Sequence, residues 1–239
     1  MSIQTRKIEY TEGDTLLEGY LAWDDSQSEP RPGVLVAHAW AGRDDFACKK
    51  AEEMAALGYV GFALDMFGKD VLGHSVEENS ALIQPFVQDR EKMQTRMQKA
   101  LSVFSEQAEV QSDKIGAIGF CFGGMCVLDL ARTGADLAGV VSFHGLLGAP
   151  ENISNPQISA PVLVLHGYQD TMAKPEDLHA IQKELDASGS DWQTHCYGKA
   201  YHAFTNPQAN DHELGTVYNA NAARRSLATM TDFFQEHLA

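Results

Sequence analysis

The sequence predicts an α/β fold: a mostly parallel central sheet with helices on both faces and an antiparallel hairpin at the N-terminus. Three observations carry this. Short apolar runs alternate with helix-like stretches from residue 33 onward, and two alternating runs joined by a turn precede them. The chain also has 239 residues, 44% of them hydrophobic and 21% charged, enough to bury the core such a sheet needs.

The elements follow in order. "TRKIEY" and "TLLEGYLAW" alternate apolar and polar residues around the turn-forming "TEGD", which predicts a hairpin. "GVLVAH", "YVGFALD", "KIGAIGF", "AGVVSFH", "PVLVLHG" and "WQTHCY" are short and apolar enough to be buried strands. "DDFACKKAEEMAALG" opens with acids that suit a helix N-terminus and closes on Gly58, a left-handed stop. "SVEENSALIQ" has the spacing of a capping box, Ser75 with Glu78, and Pro85 is expected to interrupt it before a second helix. That second helix places Met93, Met97, Ala100, Leu101 and Phe104 on one face, a packing stripe. Pro175 suits the first turn of "PEDLHAIQKELDASG", and a last helix spans much of "VYNANAARRSLATMTDFFQEHL". Residues 66–75 and 203–216 are the longest irregular segments. No repeat or linker divides the chain, so one domain over residues 1–239 is expected.

Charge narrows the partners. A net charge of -15 repels phosphate backbones and anionic membranes, which argues against nucleic acid. No apolar run approaches the roughly 20 residues needed to cross a bilayer. "MSIQTRKIEYTEGD" lacks the basic-then-apolar order of a secretory signal, so a cytoplasmic protein without a membrane partner is expected. The oligomeric state stays open. Cys48, Cys121, Cys126 and Cys196 form no C-x-x-C pair and are expected as free thiols. "DHELG" has no second histidine at i+4, so the zinc-protease pattern is absent, and no metal or cofactor is expected.

One of the four cysteines stands apart. In "IGAIGFCFGG" a strand runs into a helix through Gly119, Cys121 and Gly123, with Gly124 next. A nucleophile on such a sharp turn is exposed at the carboxyl edge of the sheet, where ligands bind, and residues two before and two after it must be small. The turn also aims the first helix amides, led by that of Phe122, toward the sulfur, where they favour a thiolate and later an oxyanion. Cys126, Cys48 and Cys196 lack this setting and are expected in packing.

A nucleophile needs a base, and the base an acid to hold its tautomer. For a strand-turn-helix nucleophile of this kind the chain order is nucleophile, acid, histidine. "PVLVLHGYQD" places Asp170 just past one late strand, and "YGKAYHAF" places His202 just past the next. His144 and His166 end strands before Asp170 and are expected to line the pocket or hydrogen-bond. His38 is expected to shape the loop supplying a second oxyanion donor, the amide of Trp40.

With these residues assembled, the chain resembles the dienelactone hydrolase family of α/β-hydrolase fold enzymes over almost its whole length. The resemblance rests on "GFCFGG", "HGYQD", "YHAF", "DMFGK" (Asp65 to Lys69) and "YNANAARRS". It implies a Cys121-His202-Asp170 triad that hydrolyses a small-molecule ester or lactone. It also exposes two departures. The glutamate that contacts the resting cysteine in the best-known members is Ala39 here, and the arginine that grips a substrate carboxylate is Asn206. Ala39 and Asn206, with His144, are therefore expected at a substrate pocket suited to a neutral ester or lactone. Two other readings remain open on sequence: a non-catalytic α/β-hydrolase scaffold that binds a small ligand, and a redox thiol with Cys126 as partner.

Overall fold

In a computed structural model, described for residues 2–151, 153 and 157–239, the predicted alternation is present. β1 (Ile3–Glu12) and β2 (Thr15–Asp24) pair antiparallel, with Glu12 opposite Thr15 across the turn. Then follow β3 (Arg31–Ala37), α1 (Asp45–Ala56), β4 (Val60–Ala63), α2 (Val76–Gln88), α3 (Arg90–Ser105), β5 (Val110–Phe120) and α4 (Phe122–Arg132). The chain continues through β6 (Gly139–Phe143), β7 (Val162–Gly167), α5 (Pro175–Ser188) and β8 (Trp192–Tyr197). A small pair, β9 (Asn210–Asp211) and β10 (Thr216–Val217), precedes α6 (Ala220–His237). No helix among the described residues is long and apolar enough to cross a membrane.

The main sheet has the order β1-β2-β4-β3-β5-β6-β7-β8. Only the β1/β2 and β2/β4 pairs are antiparallel. From β3 the chain steps one way to β4 and later the other way to β5, so the strand order reverses beside β3. The loops leaving β3 and β5 diverge there and open a crevice at the carboxyl edge, the place where such sheets bind ligands.

Alternation along each strand sends side chains to two cores. Leu35, Ala117, Val140 and Val164 face the core built with α3, α4 and α5. Val34, Ile118, Val141 and Leu165 face the one built with α1 and α6. The Met93, Met97, Ala100 and Phe104 stripe is fully buried, as its spacing predicts.

Two expectations are corrected. Pro85 does not end its helix: α2 continues to Gln88, and the break falls at Asp89. Pro85 and Ala81, whose carbonyl loses its partner, both lie at the solvent face, where water can satisfy that oxygen. Asp89 instead turns extended (φ -123°, ψ 92°) and caps α3 through Lys92 N. Cys196 is not packed; it is exposed on β8, an edge strand of the sheet.

α4 is buried along its whole length, including Asp129 and Arg132. A charge network makes this tolerable. Asp129 accepts from Arg90 at 2.6 and 2.5 Å and from Arg132 at 2.8 Å. Arg132 continues to Glu184 at 2.7 and 2.8 Å, and the two arginines also donate to the carbonyls of Leu147 and Gly148. The network thus ties α3, α4 and α5 to the loop after β6. Replacing Asp129 with Ala removes the carboxylate that both buried guanidinium groups share, leaves Arg90 with only a carbonyl partner, and is expected to cost about 3–5 kcal/mol of unfolding free energy, read by urea denaturation; a loss under about 1 kcal/mol would count against the network's role.

Candidate active site

The bend after β5 decides where Cys121 stands. Its backbone is at φ 56°, ψ -115°, a region that non-glycine residues rarely occupy. Three backbone bonds hold it there: its N–H donates to Phe143 O at 3.1 Å, and its carbonyl accepts from Gly124 at 3.0 Å and Leu146 at 3.4 Å. The flanking glycines are required by contact. A Cβ on Gly119 would lie 1.9 Å from Gly123 O, and one on Gly123 would lie 2.2 Å from Ala37 O. The first turn of α4 therefore sits directly against β5 and the end of β3, and Cys121 is left half-buried at its N-terminus.

His202 comes from the irregular segment after β8 and is clamped on both sides of its backbone. Its N–H donates to Gly215 O at 3.1 Å, and its carbonyl accepts from Val217 at 3.0 Å. Its Nδ1 lies 2.8 Å from Asp170 Oδ2, while Asp170 Oδ1 accepts from Met172 N at 2.8 Å and Ala173 N at 3.0 Å. Asp170 is thus an acceptor on both oxygens, so Nδ1 carries the proton and Nε2 is left toward the pocket. Burial by itself would raise the Asp170 pKa; the bond to His202 and that residue's charge outweigh it and lower the value.

The electrostatics of His202 point to the sulfur. Burial would lower its pKa, but the negative charge available at Cys121 and the bond to Asp170 overcome this and raise it to about 10. Nε2 makes no hydrogen bond of acceptable geometry among the described residues.

A cavity of about 180 Å³ receives these groups, lined by Cys121, His202, Ala39, Trp40, His144 and Asn206 among others. All three residues expected at the pocket are there, and so is Trp40. His144 is neutral: burial first, then the charge of His202, drives its pKa well down. Its ring meets His202 edge-on at 5.3 Å, and its Nε2 is 2.7 Å from Thr205 Oγ1. His166 is buried at the end of β7 but does not line this cavity. His38 shapes the loop after β3 as expected: Nδ1–H donates to Ala39 O at 2.6 Å and Nε2 accepts from Met66 N at 3.2 Å.

The other thiols are set apart. Cys126 is fully buried, and desolvation lifts its pKa well above the usual range, which makes it a poor redox partner. Cys48 is half-buried, with its sulfur 3.4 Å from Arg43 Nη1. Sequence reasoning missed Asp44, Phe46, Phe120, Met172 and Thr216 as pocket residues. The signal for Asp44 was its place just after β3, at the carboxyl edge.

The comparisons with known proteins bear on this geometry. The dienelactone hydrolase family model matches residues 17–238. The chain belongs to the dienelactone hydrolase family. It is accordingly an ester- or lactone-class hydrolase. The dienelactone hydrolase-like promiscuous phosphotriesterase P91, from metagenomic libraries, is 38% identical with a TM-score of 0.93, and the match covers all of both chains. The structure named m3DLH is 36% identical with a TM-score of 0.93, over 99% of each chain. The carboxymethylenebutenolidase homolog of Xenopus tropicalis is 26% identical over 67% of this chain and 65% of its own.

The His202 pKa yields a direct check. Protonated His202 is a cation that the sulfur's charge stabilises, so this contribution to folding is complete below the ordinary value of 6.5 and is lost as pH rises through about 10. Cys121→Ser removes the sulfur, and the His202 ring titration followed by NMR is expected to fall by at least about one pH unit. A titration unmoved by the substitution would mean that the sulfur does not reach the ring.

Proposed function

We propose that Cys121, His202 and Asp170 act as a catalytic triad that hydrolyses small neutral esters or lactones through a thioester acyl-enzyme. The observation that carries the reading is the 2.8 Å Asp170–His202 bond, on a histidine that lines the same cavity as the cysteine at the bend.

His202, oriented by Asp170, holds the proton of the pair, and the Cys121 thiolate attacks the ester carbonyl. The C–S bond forms as the carbonyl π pair moves to oxygen, and the amides of Phe122 and Trp40 bind the resulting oxyanion. Each such donor is worth on the order of a hundredfold in rate. The oxyanion collapses, the C–O bond breaks, and the His202 imidazolium protonates the leaving alkoxide. Neutral His202 then takes a proton from water, which attacks the thioester and releases the acid and the thiolate. A thiolate leaves more readily than an alkoxide, so prompt protonation by His202 decides whether the first intermediate goes forward. A cationic His202 held by Asp170 suits that task. Amides, with poorer leaving groups, are disfavoured.

Two features support neutral substrates. The position occupied by a carboxylate in the best-known members is the methyl group of Ala39, and the arginine position is Asn206, whose Oδ1 accepts from Gln208 N at 3.0 Å. Phosphotriesters, which P91 is named for, are also uncharged and belong among the compounds tested.

Incubation with an activated neutral ester tests the reading. The parent is expected to turn it over and to gain an acyl mass on Cys121 under rapid quench. Cys121→Ala is expected to keep its fold and lose on the order of a thousandfold or more in turnover. Parent-like turnover in Cys121→Ala would place the nucleophile elsewhere. Absence of both turnover and adduct in the parent would favour a ligand-binding scaffold.

A further inference from the structure

Asp44 stands in the wall of the Cys121 cavity and has no part in the triad. It caps α1, and its Oδ1 accepts from Ala47 N at 3.0 Å. Its own N–H donates to Gly42 O at 2.8 Å, so backbone and carboxylate are both held in place. Oδ2 has no hydrogen bond or ion pair among the described residues.

No lysine or arginine among the described residues lines the cavity beside Asp44, and Lys50, the cation that comes near its aromatic wall, is paired with Glu53 at 2.7 Å. Arg43, next in sequence, turns away and donates to Glu18 at 2.7 Å and toward Cys48 at 3.4 Å. A Cys121 thiolate and a protonated His202 cancel each other, so Asp44 sets the sign of the pocket. An adjoining groove of about 480 Å³ shares Asp44, Phe46 and Asn206 with the cavity. Beyond the shared Asp44 its charges balance, Asp45 and Glu53 against Lys49 and Lys50, so Asp44 sets the sign of both.

Three of the other wall residues are aromatic: Trp40, Phe46 and Phe120. Aromatic faces beside a carboxylate attract cations. Lys50 already uses this property from the groove side, with its ammonium 5.1 Å from the Phe46 ring centre and 6.0 Å from that of Phe120.

We propose that Asp44 is a specificity-determining residue. Its carboxylate makes the pocket favour esters whose non-reacting end is neutral or an alkylammonium, and disfavour those ending in a carboxylate. The proposal rests on the ester-hydrolase reading of Cys121 and deepens it by naming the substrate charge class.

Three esters of matched length, ending in a methyl, a carboxylate or a trimethylammonium group, form the test. In the parent, kcat/KM is expected to be lowest for the carboxylate, with the gap narrowing as salt is added. Asp44→Asn and Asp44→Ser keep a capping oxygen. Each is expected to raise the carboxylate-to-methyl ratio of kcat/KM about tenfold and to lower the trimethylammonium-to-methyl ratio comparably, the change appearing mainly in KM. Ratios unchanged in both variants would overturn the proposal. The corresponding three amides, tested for protection of Cys121 against alkylation by iodoacetamide, read the same charge order without turnover. If the parent lacks Cys121-dependent hydrolysis, the hydrolase reading fails, while the protection series still decides the role of Asp44.

Discussion

The close crossing of β5 and α4 is the constraint on which the site depends. Backbone meets backbone there with no room for a Cβ at Gly119 or Gly123, and the residue between them must take a left-handed conformation. That contact lifts Cys121 off the end of the sheet and turns the amide end of α4 toward it. The strain at Cys121 is held by neighbours: Phe143 and Leu146 bond its peptide groups. The same neighbours belong to β6 and the loop after it, so the geometry of the bend is stored in a wider piece of the fold.

That wider piece is anchored by charge. Asp129 lies two turns into α4 from Cys121, and its two arginines reach the carbonyls that follow β6. A helix buried on all sides has no solvent-facing stripe to fix its rotation. The Asp129 network supplies what hydrophobic packing alone would leave loose, since its hydrogen bonds are satisfied in one rotation and one depth. Such a network is a weak source of net stability but a strong source of geometry.

Most of the fold was legible because its signals are local. The hairpin, the buried strands, the acidic start of α1 and the cap at Ser75 all follow from residues near one another in sequence. The cysteine bend was legible for the same reason: three glycines around one thiol have a steric explanation. Pro85 misled because the cost of a proline in a helix depends on which side the orphaned carbonyl faces, and a sequence does not state that. Cys196 misled because residue type was read without strand position, and β8 is an edge. Asp170 and His202 could be nominated from chain order, but their 2.8 Å contact depends on two loops meeting across the sheet edge. Asp44 was visible only as an acid at the start of a helix; that its free oxygen belongs to a pocket is a fact of tertiary placement.

The clamp on His202 by the strand pair at residues 210–217 carries a consequence for how a guest is accommodated. Thr216 forms part of the cavity wall and is bridged to His202. The wall and the imidazole are therefore one mechanical unit. A guest too bulky for the cavity that pushes Thr216 outward moves the imidazole with it, so a poor fit is converted into a displaced His202.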